Sequence, residues 1–255
     1  MLRLMCNRYS RDVKLDVLLR RFAAQTWSER SGLNTMWQLY EPCYNIAPGS
    51  LAPAVFLKDG ERRINIKEFG LVPGWCYGKR ISSRFTNARA ETITQKVAFK
   101  DLLASKRCLI PSSGYFDWKK EDGRKQPYHF RLKGGGVFGF AAVWEKWRCS
   151  DAAAAETYSF AIVTTSPNEL CAMVHDRMPV ILDEEAEKRW LDPDEKEPTR
   201  LLPLLRPFPA ELMECYAVDP RMGYARFNDA RCVEPWNVKP SQLTLLPNSR
   251  NNLTG

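Results

Sequence analysis

Apolar residues recur at helical spacing near the start of the chain: Val13, Val17, Leu18 and Phe22 line one side of residues 12–27, and Asp12 stands where an N-cap belongs. That spacing predicts a first helix. The pattern then shortens to the period of strands. Residues 54–57 and 63–69 flank Asp59-Gly60, a pair suited to a hairpin turn because both residues tolerate positive φ. The same device recurs at Asp122-Gly123, between 115–119 and 128–132, and a turn at 134–136 leads into the run 137–144. Hairpins therefore dominate the middle of the chain.

Helical spacing returns over 91–106, where Val97, Phe99, Leu102 and Leu103 form an apolar side. Residues 159–165 make a continuous apolar run of strand length. Ser166-Pro167-Asn168-Glu169 follows and reads as the N-cap, N1 proline and capping-box glutamate of a short helix ending near Val174. A further helix fits 184–191 behind Asp183, the proline-rich stretch 193–209 reads as a connection, and 233–255 as a loose tail. Mostly antiparallel strands with helices interspersed predict a single α+β domain whose sheet is curved or barrel-like.

Composition narrows the class without choosing the chemistry. With 255 residues, 44% of them hydrophobic and 27% charged, the chain has the make-up of a globular protein with a well-buried core. The longest apolar stretches, such as 138–144, fall far short of a bilayer span, and no apolar core follows the N-terminal charges. This argues for a cytoplasmic protein with no membrane partner. Eight cysteines lack any CxxC pair and read as reduced thiols. The two histidines, His129 and His175, lie far apart and lack paired ligand spacing, so no metal and no cofactor is expected. A net charge of +8 fits a polyanionic partner such as nucleic acid but does not by itself select one.

Four stretches are too polar and too particular for simple core: YNIAPGS at 44–50, SRFTNARAETI at 83–93, GYFDWKK at 114–120 and VHDRMPVIL at 174–182. Each has a plain structural reading. Asn45 suits turn chemistry, Asn87 a helix cap, Asp117 a solvated strand position, and His175 a hydrogen-bonded histidine after a helix. Cys6 changes the weighing. It directly follows Met5, so initiation at Met5 and removal of that methionine would leave a cysteine whose α-amine and thiol share one carbon.

Taken in order, these segments resemble the SOS response-associated peptidase (SRAP) family of abasic-site processing proteins. Cys6-Asn7-Arg8 echoes the family's N-terminal Cys-Gly-Arg. Residues 44–49 match Y-N-x-A-P-G, and 70–75 match G-x-x-P-x-W. The most specific matches are N-A-R-x-E-T at 87–92, the segment 107–118, and H-D-R-x-P at 175–179. The resemblance spans 6–232. It implies an SRAP fold, with residues 1–5 absent from the mature protein. It also implies a monomer that takes single-stranded DNA containing abasic sites as its partner. Cys6 would be the nucleophile, Asn87 and Asp117 would hold and tune its amine, and His175 would act as acid and base. Arg89 and Arg177 would contact phosphates, with Arg8, Asn45 and Trp75 as further candidates for the DNA face. Position 7 departs from the family's Gly, and position 117 from its usual Glu.

The implied reaction suits an N-terminal cysteine. An abasic site is a sugar in equilibrium with its open aldehyde, and only an unprotonated amine attacks it. An α-amine with a pKa near 7.7–8.0 is roughly 10–20% neutral at pH 7, whereas a lysine is neutral less than about 0.1% of the time. The Schiff base so formed can be closed by the adjacent thiol into a five-membered thiazolidine. Two other readings stay open on the residues alone. One is a thiol peptidase or self-processing protein with Cys6 as thiolate, His175 as base and Asp117 as orienter. The other is a non-catalytic module for damaged or single-stranded DNA, using the basic stretch Lys119, Lys120, Arg124 and Lys125 and stacking on Trp75 or Trp118.

Overall fold

The computed structural model describes residues 7–27, 40–76, 85–121, 123–147 and 156–236. The strands are β1 (Arg8–Arg11), β2 (Gln25–Thr26), β3 (Cys43–Ile46), β4 (Leu51–Lys58), β5 (Glu61–Phe69), β6 (Asn87–Arg89), β7 (Arg107–Ser112), β8 (Gly114–Glu121), β9 (Arg124–Leu132), β10 (Phe138–Trp147), β11 (Thr157–Thr165), β12 (Met178–Pro179), β13 (Ile181–Leu182) and β14 (Met213–Ala217). Antiparallel pairing runs β5–β4–β7–β10–β11, and β11 returns to β5 in parallel through Ser159↔Glu68 and Phe160↔Phe69. The five strands thus close into a barrel, which removes the free edges an open sheet would present. A second sheet, in the order β14-β9-β8-β1-β3, packs beside it. The fold is α+β with a curved, largely antiparallel sheet.

Alternation along each barrel strand feeds two cores. Val55, Ala141, Val143, Ala161 and Val163 join one cluster with Leu18, Phe22, Leu103 and Trp190 from the helices. Their neighbours Ala54, Phe56, Phe140, Ala142, Phe160 and Ile162 join the other, with Tyr9, Tyr115 and Phe130 from the second sheet. Burial on both faces explains why β11 reads as a continuous apolar run. Each buried aromatic or branched side chain contributes on the order of 1.5–3 kcal/mol of transfer free energy.

The Asp59-Gly60 turn forms as the dipeptide dictates, both residues having positive φ, at 52° and 78°. The helices depart more from the pattern. The first is Leu15–Phe22, entered through Lys14 without a side-chain cap; the backbone N–H of Asp12 donates to Ser113 Oγ at 3.2 Å. Residues 91–106 divide into a 3-10 turn (Ala90–Thr92) and a helix (Lys100–Ser105), and Val97 is 67% exposed rather than part of an apolar face. The cap of the helix Glu169–Ala172 is Asn168, whose Oδ1 accepts from Cys171 N at 2.8 Å, not Ser166. The helix Glu184–Leu191 is capped by Asp183 as expected. The stretch 193–209 contains the helix Pro198–Leu201 and a 3-10 turn, Leu202–Leu204. Cys6 and residues 237–255 of the tail lie outside the described residues. Among the described residues, no helix is long and apolar enough to cross a membrane.

Candidate active site

Strand β11 is the spine of the site. On one side it pairs in parallel with β6, aligning Ile162 with Asn87 and Thr164 with Arg89. At its far end it pairs with β12, aligning Thr164 with Pro179 and Thr165 with Met178. The Asn-Ala-Arg and His-Asp-Arg segments, well separated in sequence, are thereby laid against one strand. Arg177 joins them directly. Its guanidinium donates to both carboxylate oxygens of Glu91 at 2.6 and 2.9 Å and to Thr164 O at 2.8 Å. This bidentate geometry holds the Glu91 carboxyl below its ordinary range.

Asp117 arrives from the second sheet. It is 1% exposed on β8, beside the start of β1, because Arg8 pairs with Phe116 and Tyr9 with Tyr115. Asn7, immediately before β1, therefore stands beside the part of β8 that carries this carboxylate. His175 follows the helix Glu169–Ala172, and its backbone N–H donates to Cys171 O at 2.9 Å. Its Nδ1 accepts the N–H of Arg177 at 3.1 Å, so the neutral ring carries its proton on Nε2. The same Nδ1 lies 3.1 Å from Asp176 Oδ1 and 4.0 Å from Asp117 Oδ2. Two carboxylates thus stand ready to stabilise the ring when it takes a second proton. At 4.0 Å, Asp117 acts on His175 through charge rather than through a hydrogen bond.

Asn87 is held by its neighbours. Its Nδ2 donates to Asn7 Oδ1 at 3.2 Å and to Thr86 Oγ1 at 3.1 Å, and Thr86 Oγ1 donates to Asn7 Oδ1 at 2.7 Å. The structure so brings Asn87, Asp117 and His175 around Asn7 and the start of β1. Among the described residues, no group of three or more His, Cys, Asp or Glu side chains has a geometry that could hold a metal ion.

The residues expected on the DNA face divide. Trp75 is 57% exposed, and Arg89 is exposed at the end of β6. Asn45 is buried, its Nδ2 donating to the carbonyls of Met222, Tyr224 and Phe227, which fastens β3 to the C-terminal segment. Arg8 donates to Asn45 Oδ1 at 2.7 Å and to Gly223 O at 3.0 Å. Arg177 is engaged with Glu91, as described. Arg8, Asn45 and Arg177 thus each make contacts within the protein that hold neighbouring segments together. Three participants had no assigned role in the sequence reading: Glu91, Asp176 and Asn7. Glu91 and Arg177, opposite charges in two matched motifs, carried a signal for pairing; Asp176 and Asn7 carried none beyond adjacency.

The chain matches the family model described as SOS response associated peptidase (SRAP) over residues 5–225. It is 36% identical over 234 residues to abasic site processing protein YoaM of Bacillus subtilis, covering 91% of this chain and 99% of that one. YoqW of the same organism, also named an abasic site processing protein, is 34% identical over 231 residues, covering 90% and 99%. The mouse abasic site processing protein HMCES is 31% identical over 271 residues, covering 91% of this chain and 76% of its own. A crystal structure of a protein from Bacteroides thetaiotaomicron superposes with a TM-score of 0.81 at 27% identity, covering 91% of this chain and all of that one. A family match across most of the chain, relatives above 30% identity over nearly its whole length, and a shared fold together place this chain in the SRAP family.

Proposed function

We propose that residues 6–232 form an abasic-site processing domain that bonds covalently to abasic sites in single-stranded DNA through Cys6, once Cys6 is the terminal residue, and so shields the lesion in the DNA damage response. The observation that carries this reading is the convergence of Asn87, Asp117 and His175 where the arm from Cys6 enters the second sheet. In the first step the neutral α-amine adds to the sugar aldehyde to give a carbinolamine. His175 donates a proton to its hydroxyl, water leaves, and a protonated Schiff base remains. Asp117 stabilises that positive charge. The thiol then adds across the C=N bond, its sulfur bonding to carbon while its proton is released to a nearby base. The ring nitrogen is left neutral with one hydrogen, and one water is lost overall. Exposed Trp75 and Arg89 supply a stacking surface and a phosphate contact.

The test is incubation of protein bearing Cys6 at its terminus with single-stranded DNA containing one abasic site. An adduct that survives denaturation is expected. Cys6→Ser should leave only a weak species trapped by borohydride, and Cys6→Ala an amine that cannot close the ring. Salt-sensitive, fully reversible binding would sink the proposal in favour of a binding module, and peptide cleavage without an adduct would sink it in favour of a thiol peptidase. Intact residues 1–5 on active protein from its native source, read by mass spectrometry, would overturn it as well, because the Cys6 nitrogen would then be an amide.

A further inference from the structure

Asn7 stands where the resembled family pattern has glycine, and its side chain is tied into the site. Its Oδ1 accepts from Thr86 Oγ1 at 2.7 Å and from Asn87 Nδ2 at 3.2 Å, while Asn87 Nδ2 also reaches Thr86 Oγ1 at 3.1 Å. The three groups form a closed cycle. An acceptor at Asn7 turns the Thr86 hydroxyl proton toward residue 7, leaves the Thr86 oxygen as an acceptor, and draws both contacts of Asn87 onto its Nδ2. A carboxamide is planar, so fixing its Nδ2 on that side turns its Oδ1 to the other. Thr86 is 5% exposed, so the cycle is largely shielded from water that could scramble it.

We propose that Asn7 is a positioning residue for the crosslinking step: its carboxamide oxygen fixes which end of Asn87 is presented to the terminal amine. The amine is a hydrogen-bond donor, and a donor needs Oδ1, not Nδ2, facing it. Glycine at position 7 offers no side-chain acceptor, so this chain supplies from its N-terminal arm a constraint that glycine would have to leave to other groups. The inference rests on the covalent reading above and extends it to the residue next to the nucleophile.

Three variants test it on protein with Cys6 terminal. Asn7→Gly and Asn7→Ala delete the acceptor, and both should slow single-turnover adduct formation at pH 7 by roughly tenfold or more, as expected when a reacting group loses its alignment. Affinity for an unreactive tetrahydrofuran abasic analogue should be unchanged. Asn7→Asp keeps acceptor atoms in the same place but adds a negative charge beside the terminal ammonium. It should recover the wild-type rate at alkaline pH, with its pH–rate profile displaced upward because the amine holds its proton longer. Adduct formation by Asn7→Gly at the wild-type rate, or no recovery of rate by Asn7→Asp at alkaline pH, would overturn the proposal. The clamp is also read without chemistry, from NMR exchange of the Asn87 side-chain N–H protons. Exchange should quicken in Asn7→Gly and stay slow in Asn7→Asp, and unchanged exchange in Asn7→Gly would equally overturn it. If wild-type protein makes no adduct while the exchange results hold, the covalent reading fails and the clamp stands.

Discussion

His129 lies on β9 at 2% exposure, its Nδ1 3.1 Å from Tyr216 Oη and its Nε2 3.1 Å from Ser10 Oγ. Tyr216 Oη donates onward to Val233 O, so it receives the proton of His129 Nδ1. His175 lies half-buried at the rim, with Asp176 and Asp117 near its Nδ1. Burial, and then the nearby Arg131, push the His129 pKa down to about 3, which fixes the ring as a neutral strut. On the proposed reading the chain's two histidines divide between architecture and chemistry. Carboxylates and access to solvent, rather than the imidazole itself, separate the two roles.

The sharpest way to break this comparison is His175→Gln, which keeps a hydrogen-bonding side chain but removes the exchangeable ring proton. Adduct formation should slow by on the order of 100-fold or more, with thermal stability nearly unchanged, since general acid–base groups commonly contribute that much. A wild-type single-turnover rate in this variant would dissolve the contrast. Gly114→Ala attacks the other histidine. A Cβ there would lie 2.1 Å from His129 Nε2 and 2.8 Å from Phe130 O. Denaturant unfolding should show a loss of about 3 kcal/mol or more, the range for overpacking a core that also breaks a buried hydrogen-bond network.

Acid should separate the two regions more gently. The folded-state pKa of His129 is depressed, so between pH 6.5 and about 3 the unfolded chain binds a proton that the folded chain does not. Its contribution to stability is complete above pH 6.5 and is lost as the pH falls through that window. One proton gives a slope of at most about 1.4 kcal/mol per pH unit. Denaturation midpoints measured from pH 7 to pH 4 should fall more steeply in wild type than in His129→Gln; parallel curves would show that His129 is not the group responsible. The smallest effect is expected at Trp75→Ala, which removes the exposed ring and should weaken binding of single-stranded DNA by roughly 1–3 kcal/mol without altering the rate at saturating DNA.

The hairpin around Asp59-Gly60 and the apolar run 159–165 were legible in the sequence because turn chemistry and alternation are local properties. The helix drawn over 91–106 was not. Residues 87–89 are held along β11 and the next three form a 3-10 turn, so the helix is confined to Lys100–Ser105; Phe99, Leu102 and Leu103 are buried together while Val97 is exposed. The candidate site shows the same division. The motifs selected Asn87, Asp117 and His175, and the fold brings them together. Arg177, Arg8 and Asn45 stand in equally specific motifs, yet their donors end on Glu91, Gly223 and Met222. A motif fixes which side chain is present and leaves its partner unspecified.

By itself the sequence determined the strand-rich α+β class, the family, and the set of polar residues available for chemistry, because these follow from residue type and short-range order. Only the tertiary structure decided that Arg177 pairs with Glu91, which histidine stays neutral, and that Asn7 reaches Asn87. Those outcomes depend on distances of a few ångströms between residues as many as 215 positions apart, as where Arg8 meets Gly223, and such distances exist only once the barrel has closed.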